Sequence, residues 1–448
     1  MKWIYTPPLS RKKRGEINPV QRNNVEQPMT ETVRATILKS GCSAPALGIA
    51  EARARVLAAV DPVREVETLS LRRGLGRVLA QDMVSPIDVP AHTNAAVDGY
   101  ALAAAGLPAA SETVFRVIGT AWAGRPFTGG VEPGECVRVM TGAPMPQRTD
   151  TVVMQEHVTA RGETVAIHTG HRRGENVRVA GEDIARGELA LPAGKRLMAA
   201  ELGMLASLGL AEVSVFRRLR VALFSTGDEL RGVGEALAAG EIYDSNRYTL
   251  YGMLTRLDVE AQDLGVVPDD RAAVRQALLA ASANADVVIT SGGVSVGAAD
   301  YVRETLDALG RIDFWQIAMR PGRPLTFGRM GNATFFGLPG NPVAVMVTFY
   351  QIVQPALLRM MGAVPTVPIT FRVRCATRFK HRPGRTDFMR GILERDANGD
   401  VVVRNTGDQG SGILSSMSRA NCFVILPPEC TEVEPGGVVE VQYFDGIG

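Results

Sequence analysis

Hydrophobic spacing divides the chain into stretches of different character. Residues 1–44 show no apolar period and read as an extended or disordered tail carrying the basic cluster Arg11-Lys12-Lys13-Arg14. No apolar core follows those charges, as a secretory signal would require, and Met29 offers an alternative start. From 45 to 67, Ala52, Val56, Leu57 and Val60 predict a helix that stops at Asp61-Pro62, because proline disfavours helix in the residue before it. Together with 185–218, where 198–209 is helical by period and ends at a glycine, this forms a linking region. Residues 68–184 are β-rich, with short runs at 115–117, 136–139, 151–154 and 164–167 between Gly/Pro turns. Ahead of them, residues 85–102 (SPIDVPAHTNAAVDGYAL) read as a polar loop rather than a regular element.

The pattern changes over 219–366. Strands at 221–225, 261–267 and 287–290 alternate with helices marked by Leu250, Met253, Leu254 and Leu257, by Val274, Ala277, Leu278 and Ala281, and by 301–309. Further strands lie near 314–317, 325–327 and 334–337, and a long helix runs over 343–361 to Gly362. This alternation predicts a doubly wound, mostly parallel sheet with helices on both faces. Residues 367–448 return to strands at 369–375, 401–404, 422–426 and 438–443, a small β domain. The fold class is multidomain α/β plus β: the central sheet is flanked by a mainly β N-terminal region and a C-terminal β domain.

Composition narrows the function. At 448 residues the chain has room for about three domains of ~150 residues. It is 46% apolar and 21% charged with a net charge of +2, which offers no broad basic surface for nucleic acid. Five cysteines, odd in number and without CxxC spacing, fit a reducing cytoplasm better than a disulfide framework. Five histidines include no HxxxH or HExxH pair, so zinc is not expected. No apolar run is long enough to span a membrane.

Chemistry concentrates where strands of the α/β region end. The strand at 287–290 stops at Ser291-Gly292-Gly293, followed by Ser295 and Asp300. Such a turn aims backbone N–H groups at a phosphate, or merely uses glycine for positive φ; taken alone it leaves both readings open. Two sibling loops follow other strands: Ser225-Thr226-Gly227-Asp228-Glu229-Leu230 and Leu338-Pro339-Gly340-Asn341-Pro342. Loops after the carboxyl ends of parallel strands gather at one edge, where ligands bind. Asp228, Glu229 and Asp300 would repel a phosphate unless a cation lay between them, and Mg²⁺ suits all-oxygen ligands. Arg320 and Arg323, on a Pro/Gly-stiffened loop, offer a clamp for an oxyanion.

These loops resemble those of the MoeA family of molybdopterin molybdenumtransferases, related to the C-terminal part of gephyrin. Further similarity lies in Asp88-Val89-Pro90, Val97-Asp98-Gly99-Tyr100-Ala101, Met140-Thr141-Gly142-Ala143-Pro144, Gly181-Glu182-Asp183-Ile184, Gly384-Arg385-Thr386-Asp387-Phe388 and Gln409-Gly410-Ser411-Gly412. The motifs keep the family's order from about residue 45 onward. The resemblance implies a homodimer with its active site at the subunit interface. It also implies Mg²⁺-dependent insertion of molybdenum from molybdate into adenylylated molybdopterin, with release of AMP. Functional positions carry over to Asp98, Thr141, Asp183, Glu229, Asp269, Asp300, Pro339 and Pro342. Asp300 and Asp269 fall to the metal, and Arg385 and Ser411 join Arg320 and Arg323 at molybdate. Substrate contacts fall to Ser225, Thr226, Gly227 and Asp228, to Ser291, Gly292, Gly293 and Ser295, and to Pro339, Gly340, Asn341 and Pro342. Two departures stand out: Val97 where methionine is common, and arginine at 320 and 323 where many members have lysine. Transient contact with a molybdopterin adenylyltransferase is also implied. The alternatives are that adenylyltransferase activity itself, and a non-catalytic scaffold of the gephyrin type.

Overall fold

The computed structural model describes residues 46–292, 301–364 and 368–444, apart from some side chains between 303 and 314. Gly293, Ser295, Asp300 and the tail at 1–44 lie outside the described residues.

At the centre is a six-stranded sheet in the order Glu260–Val267, Arg220–Thr226, Val287–Ser291, Ala333–Leu338, Pro324–Met330, Gly310–Gln316. The first four strands are parallel. Their side chains alternate between two cores. Val221, Leu223, Val287 and Ile289 pack with the helices Ile49–Ala59, Ser245–Arg256 and Pro342–Met360. Ala222, Phe224 and Val288 pack with Arg271–Asn284 and Tyr301–Leu309. Helices thus cover both faces, as the strand–helix alternation predicts. The last two strands run antiparallel. The reason is local: Met330 pairs with Ala333 across Gly331-Asn332, with Gly331 at φ 58°. So short a connection makes a hairpin, whereas a parallel return needs a dozen residues or more.

The helix Pro342–Met360 is interrupted by a wider π turn at Phe349–Val353. Pro355 explains the break: its ring clashes with the carbonyl four residues back and it has no N–H to donate. That carbonyl, Gln351 O, accepts instead from Arg53 Nε at 2.9 Å. Arg53 Nη2 also reaches Gln351 Oε1 at 2.8 Å, and Gln351 Nε2 donates to Gln442 Oε1 at 2.8 Å. One glutamine therefore ties the first helix and the last strand to the core helix.

The N-terminal β region holds a second six-stranded sheet, ordered Thr151–Met154, Gly99–Leu102, Glu135–Val139, Thr113–Ala121, Thr164–Ile167, Val158–Arg161. Here the loop expected over 85–102 is corrected, because Gly99–Leu102 is a fully buried inner strand. Gly99 permits it: a Cβ there would lie 2.2 Å from Val153 O.

Toward the C-terminus, Thr386–Arg395, Val401–Asn405, Thr370–Cys375, Val438–Tyr443 and Cys422–Leu426 pair in a ring, since the last also pairs with the first. Pattern reading leaves out the longest of these strands, Thr386–Arg395, because its charges and Gly391 break the alternation. Gly391 sits where the barrel closes; a Cβ would meet Val403 and Val424 at 2.8 Å. The short strand Met319–Arg320 pairs in parallel with Thr386–Asp387, which carries a segment from the α/β region onto the barrel.

Candidate active site

Three of the predicted loops leave adjacent parallel strands on one side of the sheet. Thr226, Glu229, Ser291, Gly292, Gly340, Asn341 and Pro342 line one cavity of about 380 Å³. Gly292 has φ +86°, and a Cβ there would stand 2.5 Å from Thr226 O, so the close approach of the two loops requires glycine. Asn246, which sequence reading missed, stitches the glycine turn to the third loop: its Nδ2 donates to Ser291 Oγ at 2.8 Å and to Gly340 O at 2.6 Å. Its signal in the sequence was only that of a helix start, with Asp244 capping Arg247 N at 3.2 Å. The hydroxyls of Ser225 and Thr226 are buried and lack hydrogen-bond partners. Pro342 opens a 19-residue helix, so a helix N-terminus, suited to an anion, borders the cavity.

A carboxylate group stands beside these loops. Asp269 N donates to Asp228 Oδ1 at 3.3 Å. Burial, then the charges of Asp228 and Glu229, hold the Asp269 carboxyl above its ordinary range. Among the described residues no three His, Cys, Asp or Glu side chains converge tightly enough to cage an ion on their own.

A second, larger cleft of about 1000 Å³ is strongly basic, lined by Arg320, Arg378, Lys380, Arg382, Arg385 and Arg390 together with Ser411. Arg320 gets there through its strand pairing, which sets it beside Asp387; Arg320 Nη1 donates to Asp387 Oδ2 at 3.2 Å. Arg323 does not join it: its Nη2 donates to Gln316 Oε1 at 2.7 Å, and it lines neither cavity. The expected two-arginine clamp is thus divided, and Arg385 is the arginine that shares the cleft with Arg320. Sequence reading also missed Arg390, which is only 1% exposed. Its Nε donates to Ser416 Oγ at 2.9 Å and its Nη2 to Gly410 O at 3.1 Å, while its own N–H donates to Gln409 Oε1 at 2.8 Å. Burial lowers its pKa to about 10, so it stays charged at neutral pH. The basic run from Arg378 to Arg385 was visible in the sequence, but a charge run by itself reads as a solvated face. The two cavities adjoin: Ser411 lines the basic one and Gly412 the other, and Ser411 O accepts from Val343 N at 3.1 Å.

Asp98 and Thr141, from separate motifs, are in contact. Asp98 Oδ1 accepts from Thr141 N at 2.7 Å and from Thr141 Oγ1 at 2.8 Å, and these bonds lower the Asp98 pKa. Asp183 is exposed and its N–H donates to Val89 O at 3.0 Å. No residue of 68–184 lines either cavity.

Comparison with known proteins accounts for nearly all of the described chain. Residues 47–209 match the MoeA N-terminal region (domain I and II), residues 222–359 a probable molybdopterin-binding domain, and residues 372–444 the MoeA C-terminal region (domain IV). A molybdopterin molybdenumtransferase from Haemophilus influenzae is 40% identical over 403 residues, covering 90% of this chain and 99% of its own. A molybdopterin molybdenumtransferase from Nostoc sp. is 36% identical over 389 residues, covering 84% of this chain and 88% of its own. The crystal structure of a molybdopterin biosynthesis moeA protein from Pyrococcus horikoshii superposes with a TM-score of 0.77 at 28% identity, covering 89% of this chain and 100% of that one. With its motifs, its domain series and its relatives in agreement, the chain belongs to the MoeA family of molybdopterin molybdenumtransferases.

Proposed function

We propose that this protein transfers molybdenum from molybdate to adenylylated molybdopterin, releasing AMP. The observation that carries the reading is the pair of adjoining cavities. One has the glycine turn, helix N-terminus and orphaned Thr226 hydroxyl that suit a phosphorylated ligand. The other collects guanidinium groups that suit a tetrahedral oxyanion. Only the turn at 410–412 separates them, so an oxyanion in the second cleft lies next to a ligand in the first. Ser291, Gly292 and Asn341 hold the phosphates, Asn246 keeps their loops in register, and Arg320, Arg385 and Ser411 hold molybdate.

The carboxylates fit Mg²⁺ by chemistry: burial first, and then the charges of Asp228 and Glu229, keep Asp269 hard to ionise, and a divalent cation would offset both. Mg²⁺ needs only one or two carboxylates beside substrate phosphates and water, so a closed protein cage is not required. Asp269 and Asp300 would hold it, and it would neutralise charge on the departing AMP.

Asp98 and Thr141 line neither cavity of their own chain, which supports a homodimer whose active site is completed across the interface. Asp183, on the same β-rich region, belongs to that contribution. The adenylylated substrate arrives from a molybdopterin adenylyltransferase by transient contact, in the cytoplasm. Cys136, Cys375 and Cys422 are buried free thiols, with burial pushing Cys136 and Cys422 up to about 12, which suits structural residues in a reducing compartment.

The decisive experiment incubates the protein with adenylylated molybdopterin, Mg²⁺ and molybdate. AMP release that depends on molybdate supports the transfer. ATP consumption with free molybdopterin points instead to adenylyl transfer. The interface is tested by mixing inactive Asp98→Ala and Arg385→Ala subunits. Random pairing should restore about a quarter of wild-type activity if the two residues serve one site from opposite chains, and none if they serve it from the same chain.

A further inference from the structure

Three buried polar atoms in the wall of the basic cleft lack hydrogen-bond partners: Asp387 Oδ1 and both ring nitrogens of His381. The His381 side chain is 0% exposed and Asp387 2%. His381 Nδ1 lies 3.1 Å from Asp387 Oδ2, an ion contact that falls short of hydrogen-bond alignment. The same Asp387 oxygen accepts from Arg320. Buried polar groups are normally satisfied, and a group of three that is not marks a place where a proton or a ligand is missing.

We propose that His381 is a positioning residue for the oxyanion site, taking up a proton when the anion binds and so freeing Arg320 from Asp387. The inference rests on the oxyanion reading of this cleft. His381 shares the cleft with cations: Arg378, Lys380 and Arg382 from its own segment, Arg320 from the adjoining strand, and Arg385 and Arg390. Of the two carboxylates that line the cleft, Glu432 pairs with Arg378 and Asp387 lies against the ring. Those cations oppose a further positive charge on this segment, and Asp387 is paired with Arg320. A dianion in the cleft cancels the opposition and competes with Asp387 for the Arg320 fork. A proton on His381 then supplies Asp387 with a replacement partner. Burial keeps the Asp387 carboxyl above its ordinary range despite Arg320 and His381, in keeping with a carboxylate short of partners. By linkage, anion affinity falls as pH rises through the range in which the ring must gain its proton, approaching about tenfold per pH unit for one whole proton.

The test is calorimetric titration of the dimeric protein with molybdate between pH 6.5 and 8.5, in buffers of different ionisation heat that are not themselves oxyanions. Sulfate, which does not titrate in this range, serves as a second probe. Wild type should take up a proton with either anion and bind more weakly as pH rises. His381→Gln should bind with little uptake and a nearly flat profile, and Asp387→Asn should also lose the slope. Thermal unfolding of each variant checks that it is folded, and the wild-type proton count is informative by itself. Equal uptake and slope in wild type and His381→Gln, or no uptake in wild type, overturns the role of His381 while leaving the cleft intact. Absence of binding, or binding that Arg320→Ala and Arg385→Ala leave unchanged, overturns the oxyanion cleft itself and this inference with it.

Discussion

Arg217 grips Asp286 with two nitrogens, at 2.7 and 2.8 Å, and the N–H of Arg220 adds a third donor at 2.8 Å. Arg320 reaches Asp387 through one nitrogen at 3.2 Å and leaves the other carboxylate oxygen bare. The residue types are the same and the outcomes opposite. Burial would raise the Asp286 carboxyl, but the Arg217 fork and the Arg220 N–H prevail and hold it below its usual range. Burial wins at Asp387, and its carboxyl stays high. The first pair locks the entry of the central sheet, joining the linking region to the loop before Val287–Ser291. The second lines the basic cleft. A carboxylate with both oxygens answered is a joint; one with an oxygen left bare is available for work.

The largest expected effect breaks the first pair. Asp286→Ala removes three donors' shared acceptor and leaves the half-buried Arg217 with only Glu65 and the Arg218 carbonyl, and should cost roughly 3 kcal/mol in urea unfolding at pH 7. Because the folded pKa of Asp286 is lowered, its contribution is complete above the unfolded value of about 3.9 and is lost as pH falls through the folded one. The gap between wild type and variant should therefore narrow toward pH 3. A smaller effect comes from Ser416→Ala, which takes the partner from Arg390 Nε, a buried cation held by neutral groups. The expected cost is about 2 kcal/mol, with weaker molybdate binding because Arg390 and Gln409 shape the turn that carries Ser411. The smallest effect is at Asp387→Asn. A raised folded pKa means that the ionised group opposes folding at neutral pH, so an uncharged amide should change unfolding by less than about 1 kcal/mol. A loss at Asp387→Asn as large as that at Asp286→Ala would remove the distinction between the two pairs.

Much of the fold was legible in the residues. Period-2 and period-3.6 patterns placed the central strands and helices, because a sheet buried on both faces and helices with one apolar stripe leave strong signals. Gly99–Leu102 and Thr386–Arg395 did not show, since each depends on a glycine whose reason lies on another strand: Val153 O for Gly99, and Val403 with Val424 for Gly391. The interruption at Phe349–Val353 was written in Pro355, but only Arg53, some 300 residues away in sequence, shows where the freed carbonyl goes.

The site divides in the same way. Chemistry that lives in a contiguous turn was readable from the chain alone: the glycine of Ser291-Gly292 and the proline at the start of the core helix. Short-range sterics and backbone preference act within a few residues, so sequence alone determined them. Which arginines share a cleft was decided by tertiary structure. Arg320 and Arg323 are three residues apart and point to different partners, while Arg320 and Arg385 meet because Met319–Arg320 pairs with Thr386–Asp387. Asn246 likewise joins loops through residues 45 and 94 positions away. Electrostatic fields and hydrogen bonds sum over neighbours in space, and no spacing along the chain encodes that sum until the sheets have formed.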